Sequence, residues 1–323
     1  PDHKMYREKS RRLMEYLRTF TKEIEQVSVD ECYMDFTGIA GRYHSPVDGA
    51  AEIKDGIRDK FGFTVNIGIS TNKLLAKMAS DFEKPDRIHT LYPEEIKEKM
   101  WPLPIGELYM AGRSSVEVLK KLEINTIGDL AQADLKLIML HLKSHGKMLW
   151  EFANGIGTSV VQSEPDEAKG IGNSTTLSED AATIEEVTPV FERLAQSVGS
   201  RLKKAEKKAG MVSMEIKYYD FRTVSHQIQL DKPSNDPEVL KETACSLFLE
   251  VWSGEPVRLL GIRTSKLSDE TAPEQLSIFD IEIPKEPDEK HKRLKKAMDE
   301  INGKFGEGAV MKASLMPKKP HNK

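Results

Sequence analysis

Two adjacent carboxylates, Asp30 and Glu31, lie within the run VSVDECYMDF at residues 27–36. Ionised carboxylates among apolar, β-forming residues are costly unless a cation or hydrogen-bond donors replace the lost hydration. In one continuous strand the two side chains would point to opposite faces and could not share a ligand. If the run is two short strands with the pair at the hairpin tip, both can converge on a hard cation such as Mg²⁺. A polar tip that binds no metal is the alternative.

Three lysines lie in the next motif. Residues 70–80, STNKLLAKMAS, have the apolar spacing of a helix that carries Lys73 and Lys77. Pro85 ends this helix and leaves Lys84 on a loop. A solvated helix face is one interpretation of Lys73 and Lys77.

Helices and strands alternate through the first hundred residues, as expected of an α/β or α+β domain. A long amphipathic helix is predicted over residues 2–25, where large apolar residues recur at helical spacing. Further elements are predicted as a helix over residues 47–61 and strands over residues 63–70 and 88–91. The run WPLP at residues 101–104 marks a boundary, so the first predicted domain spans residues 1–103.

Residues 104–163 are predicted to form a small all-helical domain. A turn that contains Gly112 precedes a predicted helix over residues 114–122, and Thr126 caps the next one. This is the layout of a helix-hairpin-helix, in which backbone N–H groups at the turn hold a nucleic-acid phosphate. A plain pair of helices is the alternative.

The polar residues 164–170 are predicted to be a linker. Beyond them the order of elements over residues 171–268 is βαββαβ, which implies a four-stranded sheet with two helices on one face. The first of these helices is predicted over residues 184–208.

A dense cluster of positive charges is predicted at the end of that helix, and it consists of Arg201, Lys203, Lys204, Lys207 and Lys208. Contact with nucleic-acid phosphates is one interpretation, and a solvated helix face is the other. The open face of the sheet is expected to add Lys217, Arg222, His226 and Lys266.

The last segment, residues 269–323, contains a short apolar peptide with a basic helix predicted after it. The candidate docking residues of this peptide are Gln275, Leu276, Ile278 and Phe279. An apolar cluster in a polar, proline-containing tail is typical of a peptide that docks on a partner. Docking back on its own domain is the alternative.

The composition is that of a charge-rich soluble protein, with 38% hydrophobic and 31% charged residues. No apolar run approaches the roughly 18 residues of a membrane span, and no signal peptide is recognisable. We therefore expect a cytoplasmic protein with no membrane partner and two reduced cysteines. Because the net charge is −4, nucleic-acid binding must depend on local patches. The chain begins at Pro1 rather than Met, so we expect either a processed chain or a piece of a longer protein.

Two long motifs make the chain resemble the Y-family of translesion DNA polymerases. The palm signature S-[IV]-D-E-x-[YF]-x-D is matched by SVDECYMD at residues 28–35. The signature G-I-[SA]-x-N-K-x-[LF]-A-K-x-A-S-x-x-x-K-P is matched by residues 68–85. Both occur in the family's order and spacing, and the resemblance covers nearly the whole chain.

The resemblance implies an α+β, multidomain protein. Its parts would be a partial α/β palm (1–103), a small all-α helix-hairpin-helix thumb (104–163), a βαββαβ little finger (171–268) and a clamp-binding tail with a basic helix (269–323). It also implies template-directed, error-prone transfer of nucleotides from dNTPs to a primer 3′-OH on primed or damaged DNA. The peptide at residues 275–279 would bind the bacterial sliding clamp.

The resemblance also implies roles for individual residues. Asp30 and Glu31 would be catalytic metal ligands, with two Mg²⁺ ions in the complete enzyme, and Lys84 would bind the triphosphate of the nucleotide. Lys73, Lys77, Gly112, Arg222 and the positive cluster would contact DNA.

Two departures from the family pattern shape these expectations. The family's D-x-D-x-F-[FY] segment, with a further metal-binding aspartate and a steric-gate aromatic, does not precede the hairpin within the 323 residues, nor do the fingers. We therefore expect the chain by itself to be inactive or nearly so. The turn YMAG at residues 109–112 is a weak copy of the usual V-x-G-[IV]-G.

Two other functions stay open at this point. One is a non-catalytic accessory protein that binds DNA and the clamp. The other, less favoured because no histidine lies close to the hairpin in sequence, is a metal-dependent nuclease that uses the same carboxylates.

A synthetic peptide spanning residues 274–280 should bind a bacterial sliding clamp with a dissociation constant of about 1 μM, since its apolar anchors gain burial while the peptide loses entropy. Replacing both Leu276 and Phe279 with Ala in the intact chain should abolish clamp binding in calorimetry, whereas Ser277→Ala should not. Equal clamp binding by the intact chain and the double variant would exclude the tail as the docking site.

Overall fold

The computed structural model describes residues 2–271 together with Ala297 and Lys304. The chain forms two compact units, Pro1–Asp166 and Glu167–Lys323, and the division falls inside the predicted linker. The predicted docking peptide and the basic helix after it lie outside the described residues, so both stay predictions. No helix in the part of the chain that the structure describes is long and apolar enough to cross a membrane.

The first unit contains six α-helices and four short strands in its described part. The helices are α1 (His3–Leu17), α2 (Pro46–Phe61), α3 (Lys73–Ser80), α4 (Arg113–Lys121), α5 (Ile127–Gln132) and α6 (Leu135–Ala153). The strands are β1 (Ile24–Gln26), β2 (Cys32–Met34), β3 (Ile67–Ile69) and β4 (Ile88–Thr90).

The predicted hairpin is confirmed. Strands β1 and β2 pair antiparallel, with Ile24 opposite Met34 and Gln26 opposite Cys32. The five residues 27–31 therefore form the connection between the strands, and both carboxylates lie on it. A core beneath the hairpin joins it to α1 and α2, and its buried members are Leu13, Met14, Leu17, Ile24, Ile53 and Ile57.

The helix predicted over residues 2–25 is wrong in its second half, because α1 ends at Leu17 and Ile24 begins β1. Ile24 is buried in the same core as Leu13 and Leu17. Ile24 would reach that core either from a longer helix or from a strand that follows a turn. The spacing of apolar residues alone therefore did not distinguish the two structures.

Strands β3 and β4 pair in parallel, and α3 packs directly on β3. Helix α3 also belongs to a second core, in which its Leu75 and Met78 are buried together with Leu119 of α4 and Leu149 of α6. This core crosses the predicted boundary between residues 1–103 and 104–163. The two segments therefore share one apolar interior, and the boundary stays a prediction.

The second unit has the predicted βαββαβ order. Its elements are β5 (Gly170–Ala181), α7 (Ile184–Lys204), β6 (Lys207–Tyr218), β7 (Thr223–Ser234), α8 (Pro237–Val251) and β8 (Val257–Asp269). The strands pair antiparallel in the order β5-β8-β6-β7. Helices α7 and α8 pack on one face of this sheet, where Phe191 and Phe248 meet edge to face with their ring centroids 5.8 Å apart.

Gly68 lies where strand β3 packs tightly against helix α3. A Cβ atom at Gly68 would lie 1.8 Å from the carbonyl oxygen of Ala76 and 2.6 Å from the amide nitrogen of Ser80. Gly68→Ala should therefore push α3 away from the strand and lower the free energy of unfolding by about 1–3 kcal/mol, measured by chemical denaturation. A Cβ at Gly38 would meet no described atom within 4 Å, so Gly38→Ala is the matched control. Equal midpoints for the two variants would contradict this account.

Candidate nucleotidyl-transfer site

Asp30 and Glu31 lie exposed at the tip of the hairpin, outside the paired strands. The Ser28 hydroxyl donates to Oδ1 of Asp30 at 2.7 Å and accepts from the Glu31 backbone N–H at 3.1 Å. The Glu31 carbonyl closes the turn by accepting from the Val27 N–H at 2.9 Å. Since neither carboxylate belongs to a strand, the opposite-face constraint of a continuous strand does not apply.

Glu31 starts an alternating row of charges that runs to Lys84. Nζ of Lys77 lies 2.8 Å from Oε1 of Glu31 and 3.0 Å from Oδ2 of Asp81. Nζ of Lys84 lies 2.7 Å from Oδ1 of the same aspartate. We call Glu31, Lys77, Asp81 and Lys84 the ion chain. Of the three predicted phosphate-binding lysines, Lys77 thus contacts the carboxylate tip directly, and Lys84 is linked to it through Asp81 and Lys77.

The charge states of the inner two members follow from their surroundings. Burial by itself would lower the pKa of Lys77, but its bonds to Glu31 and Asp81 outweigh burial and raise that pKa. Burial would raise the pKa of Asp81, but the bonds from Lys84 and Lys77 outweigh it and lower that pKa. The two side chains therefore stay oppositely charged at neutral pH.

Lys73 lies on the predicted helix, but its side chain is mostly buried rather than solvated. Its Nζ contacts both carboxylate oxygens of Glu25, at 2.9 and 2.6 Å, and lies 5.6 Å from the ring centroid of Tyr33. Burial raises the pKa of Glu25, but Lys73 and the backbone N–H of Gln162 outweigh it and lower that pKa. Lys73 thus ties α3 to strand β1, and its contact with DNA stays a prediction.

The loop that carries Lys84, residues 81–87, is held by Asn66. Nδ2 of Asn66 donates to the carbonyls of Ser80 at 3.1 Å and Glu83 at 3.0 Å. Its Oδ1 accepts from the Arg87 N–H at 3.1 Å. One amide therefore fixes both ends of the loop backbone.

Asp86 attaches the same loop to α2, through ion pairs with Lys54 at 3.0 Å and Arg58 at 3.2 Å. Sequence reasoning missed Asp81, Asn66 and Asp86. The four-residue spacing of Lys77 and Asp81 at the end of α3 was a usable signal, because side chains four residues apart meet on a helix. The other two contacts join residues that lie far apart in the chain, and no local pattern indicates them.

The turn before α4 differs from the predicted helix-hairpin-helix in two respects. The segment before it is a single 3-10 turn, Ile105–Glu107, rather than an α-helix. The left-handed residue of the turn is Met110, with φ of +68°, and not Gly112, which is the N-cap of α4 with φ of −71°. A Cβ at Gly112 would meet no described atom within 4 Å, so the start of α4 is open to approach.

The positive cluster predicted on one helix is divided between two elements, so that prediction is wrong in part. Helix α7 ends at Lys204, and Lys207 and Lys208 lie on β6. Lys207 pairs with Asp269 at 2.7 Å and with Glu167 at 3.4 Å. Lys203 and Lys204 remain on the last turn of α7, where cations are favoured by the helix dipole.

The sheet of the second unit has one helix-covered face and one open face. Along β6, Met214 and its alternate neighbours are buried against the helices, while Ser213 and Lys217 belong to the open face. Arg263 on β8 is paired with Ser213 and shares that face.

Two of the cations predicted for the open face have other surroundings. His226 is paired with the buried Met214 and lies 3.1 Å from Glu250 of α8, so its prediction as an open-face residue is wrong. Arg222 contacts Glu255 and lies 4.6 Å from the ring centroid of Tyr218.

Comparisons with known proteins establish the family. Residues 1–81 match the impB/mucB/samB family, and residues 168–278 match the impB/mucB/samB family C-terminal domain. DNA polymerase IV of Clostridium acetobutylicum is 42% identical over 318 residues, covering 98% of this chain and 79% of that protein. The chain belongs to the Y-family of DNA polymerases. DNA polymerase IV 1 of Bacillus subtilis is 37% identical over 321 residues, covering 98% of the chain and 76% of that protein.

Solved structures agree in fold. The Y-family DNA polymerase chimera Dbh-Dpo4(243-245)-Dbh superposes with a TM-score of 0.70 over 81% of this chain and 76% of that one, at 22% identity. The expectation of a DNA-directed DNA polymerase of the translesion class is confirmed by the family. Enzymes of this family use divalent metal ions.

Proposed function

We propose that the hairpin tip and the loop of residues 81–87 form the nucleotidyl-transfer site of this translesion polymerase. Asp30 and Glu31 would hold Mg²⁺, and Lys84 would bind the triphosphate of the incoming dNTP. The main support for this proposal is the ion chain. It connects the carboxylate tip to Lys84 through one ion pair at Glu31 and two at Asp81.

The donor set fits a hard divalent cation, because Mg²⁺ prefers carboxylate oxygens and both side chains are exposed at the tip. When bound, such ions activate the primer 3′-OH and neutralise the charge of the triphosphate. Among residues 2–271, Ala297 and Lys304, no group of three or more acidic, histidine or cysteine side chains is arranged to hold a metal. Two carboxylates supply only some of the ligands that two metal ions need. We therefore propose that the 323 residues alone catalyse nucleotidyl transfer poorly.

The remaining parts of the chain would bind the DNA. The open start of α4 at Gly112 has the backbone donors that bind a phosphate in a helix-hairpin-helix. The open face of the second unit presents Lys217 and Arg263 without a covering helix. We accordingly assign the palm to residues 1–103, the thumb to 104–163 and the little finger to 171–268. A primed or damaged duplex would be the substrate, and the bacterial sliding clamp a partner of the tail.

In a primer-extension assay with Mg²⁺, the 323-residue chain should be slower than the Clostridium acetobutylicum polymerase by a factor of about 10²–10³, the usual cost of one missing electrostatic partner. Asp30→Asn should reduce the remaining extension to background. Asp59→Asn, which removes the same charge from a largely exposed position on α2, is the matched control.

Three outcomes would overturn parts of this proposal. Extension as fast as that of the relative would show that the 323 residues are catalytically complete. Extension that Asp30→Asn leaves unchanged would remove Asp30 from the site, and tight binding of primed DNA with no extension at all would favour the accessory protein.

The two basic surfaces of the second unit can be separated by their effect on DNA binding. Replacing Lys217 and Arg263 with Ala should weaken binding of primed DNA and reduce the slope of log K against log salt by about 2, since each phosphate contact releases counterions. Replacing Lys203 and Lys204 with Ala removes the same charge from α7 and tests their predicted DNA contact in the same anisotropy titration. A larger effect of the helix pair would identify α7 as the DNA contact instead.

A further inference from the structure

Asp81 holds two lysines at once, one on each carboxylate oxygen. Oδ2 lies 3.0 Å from Nζ of Lys77, and Oδ1 lies 2.7 Å from Nζ of Lys84. Lys77 also contacts Glu31 of the carboxylate tip, with Nζ 2.8 Å from Oε1. Asp81 therefore pairs with Lys84, the lysine proposed to bind the triphosphate.

The two lysines differ in how firmly they are held. The Lys77 side chain is 18% exposed and has a second anionic partner in Glu31. The Lys84 side chain is 60% exposed, and its ion pair within the described part of the chain is the one with Asp81. An exposed pair of this kind contributes little stability, because water and salt screen it. Lys84 is thus the partner that a competing anion can remove.

The backbone under Lys84 does not have to move for this exchange. Asn66 bonds both ends of the loop, and Asp86 fastens it to α2 through Lys54 and Arg58. Only the flexible lysine side chain needs to turn from Asp81 towards a phosphate.

We infer that Asp81 is a positioning residue that holds Lys84 beside the metal-binding tip and competes with the nucleotide's phosphates for it. Asp81 thereby limits the affinity of the site for a nucleoside triphosphate. This inference depends on the proposed role of Lys84 in nucleotide binding.

Moving Lys84 from Asp81 to a phosphate costs little free energy, because neither Lys84 nor Asp81 is left without an oppositely charged partner. When Lys84 turns to a phosphate, Asp81 keeps Lys77 at 3.0 Å, and Lys77 continues to bridge Asp81 and Glu31. A buried or half-buried carboxylate that lost its last cation would oppose the exchange far more strongly. The competition should accordingly lower nucleotide affinity by only about two- to five-fold, the equilibrium equivalent of one exposed ion pair.

The test is a fluorescence titration of the 323-residue chain with the N-methylanthraniloyl derivative of dATP in the presence of Mg²⁺. Asp81→Asn should tighten binding by about two- to five-fold. Glu83→Gln removes the same charge from the same loop, but Glu83 pairs with Arg87 at 3.2 Å, so it should change the affinity little. In a Lys84→Met background, Asp81→Asn should no longer tighten binding. Thermal unfolding of each variant establishes that it is folded.

The outcomes separate the inference from the function on which it rests. If Lys84→Met leaves the affinity unchanged, or the wild-type chain shows no saturable binding, the nucleotide-binding role of Lys84 is wrong. If Lys84→Met weakens binding but Asp81→Asn acts like Glu83→Gln, weakens binding, or tightens it equally without Lys84, then Asp81 does not compete for Lys84.

Discussion

The carboxylate hairpin depends on positive charge supplied from one side of a single short helix. Glu25 on β1 and Glu31 at the tip are met by Lys73 and Lys77, which are four residues apart on α3. Four residues of an α-helix advance about 6 Å and return to nearly the same face, so two lysines at this spacing can reach two points along a hairpin. Helix α3 in turn requires Gly68, because any side chain there would meet its backbone.

This arrangement explains how a site can gather acidic groups without losing its shape. Lys73 is largely withdrawn from solvent and contacts both oxygens of Glu25, which makes it an anchor. Lys77 is shared between the tip and Asp81, so it keeps a partner when either carboxylate is engaged by something else. Lys84 is the most exposed cation of the ion chain, as suits a group proposed to bind a ligand.

The second unit separates its stabilising surface from its proposed binding surface by strand alternation alone. Every second residue of β6 is buried against α7 and α8, and the residues between them face away from the helices. A cationic side chain therefore reaches the open face only if it stands at one of the alternate strand positions that point away from the helices. Lys217 and Arg263 satisfy this condition, whereas His226 is paired with a buried residue and contacts α8 instead.

The amino-acid sequence by itself determined the hairpin, the order of elements in the second unit and the family. These follow from local signals, namely β-formers on both sides of an Asp-Glu pair, periodicities of two and 3.6, and two motifs of fixed spacing. Local signals also predicted a helix up to residue 25 and another up to residue 208, and both end earlier, at Leu17 and Lys204.

Only the tertiary structure decided which charges meet. The bonds of Asn66 to the loop of residues 81–87, the pairing of Asp86 with Lys54 and the bridge from Lys77 to Glu31 join residues 17 to 46 positions apart. Such contacts depend on how α2 and the hairpin pack on one core and α3 on another, and this packing is not set by any single window of the sequence. The first helix shows the same limit of local patterns. It was predicted to run to residue 25 but ends at Leu17, and Ile24 packs on the same core as Leu17 from strand β1.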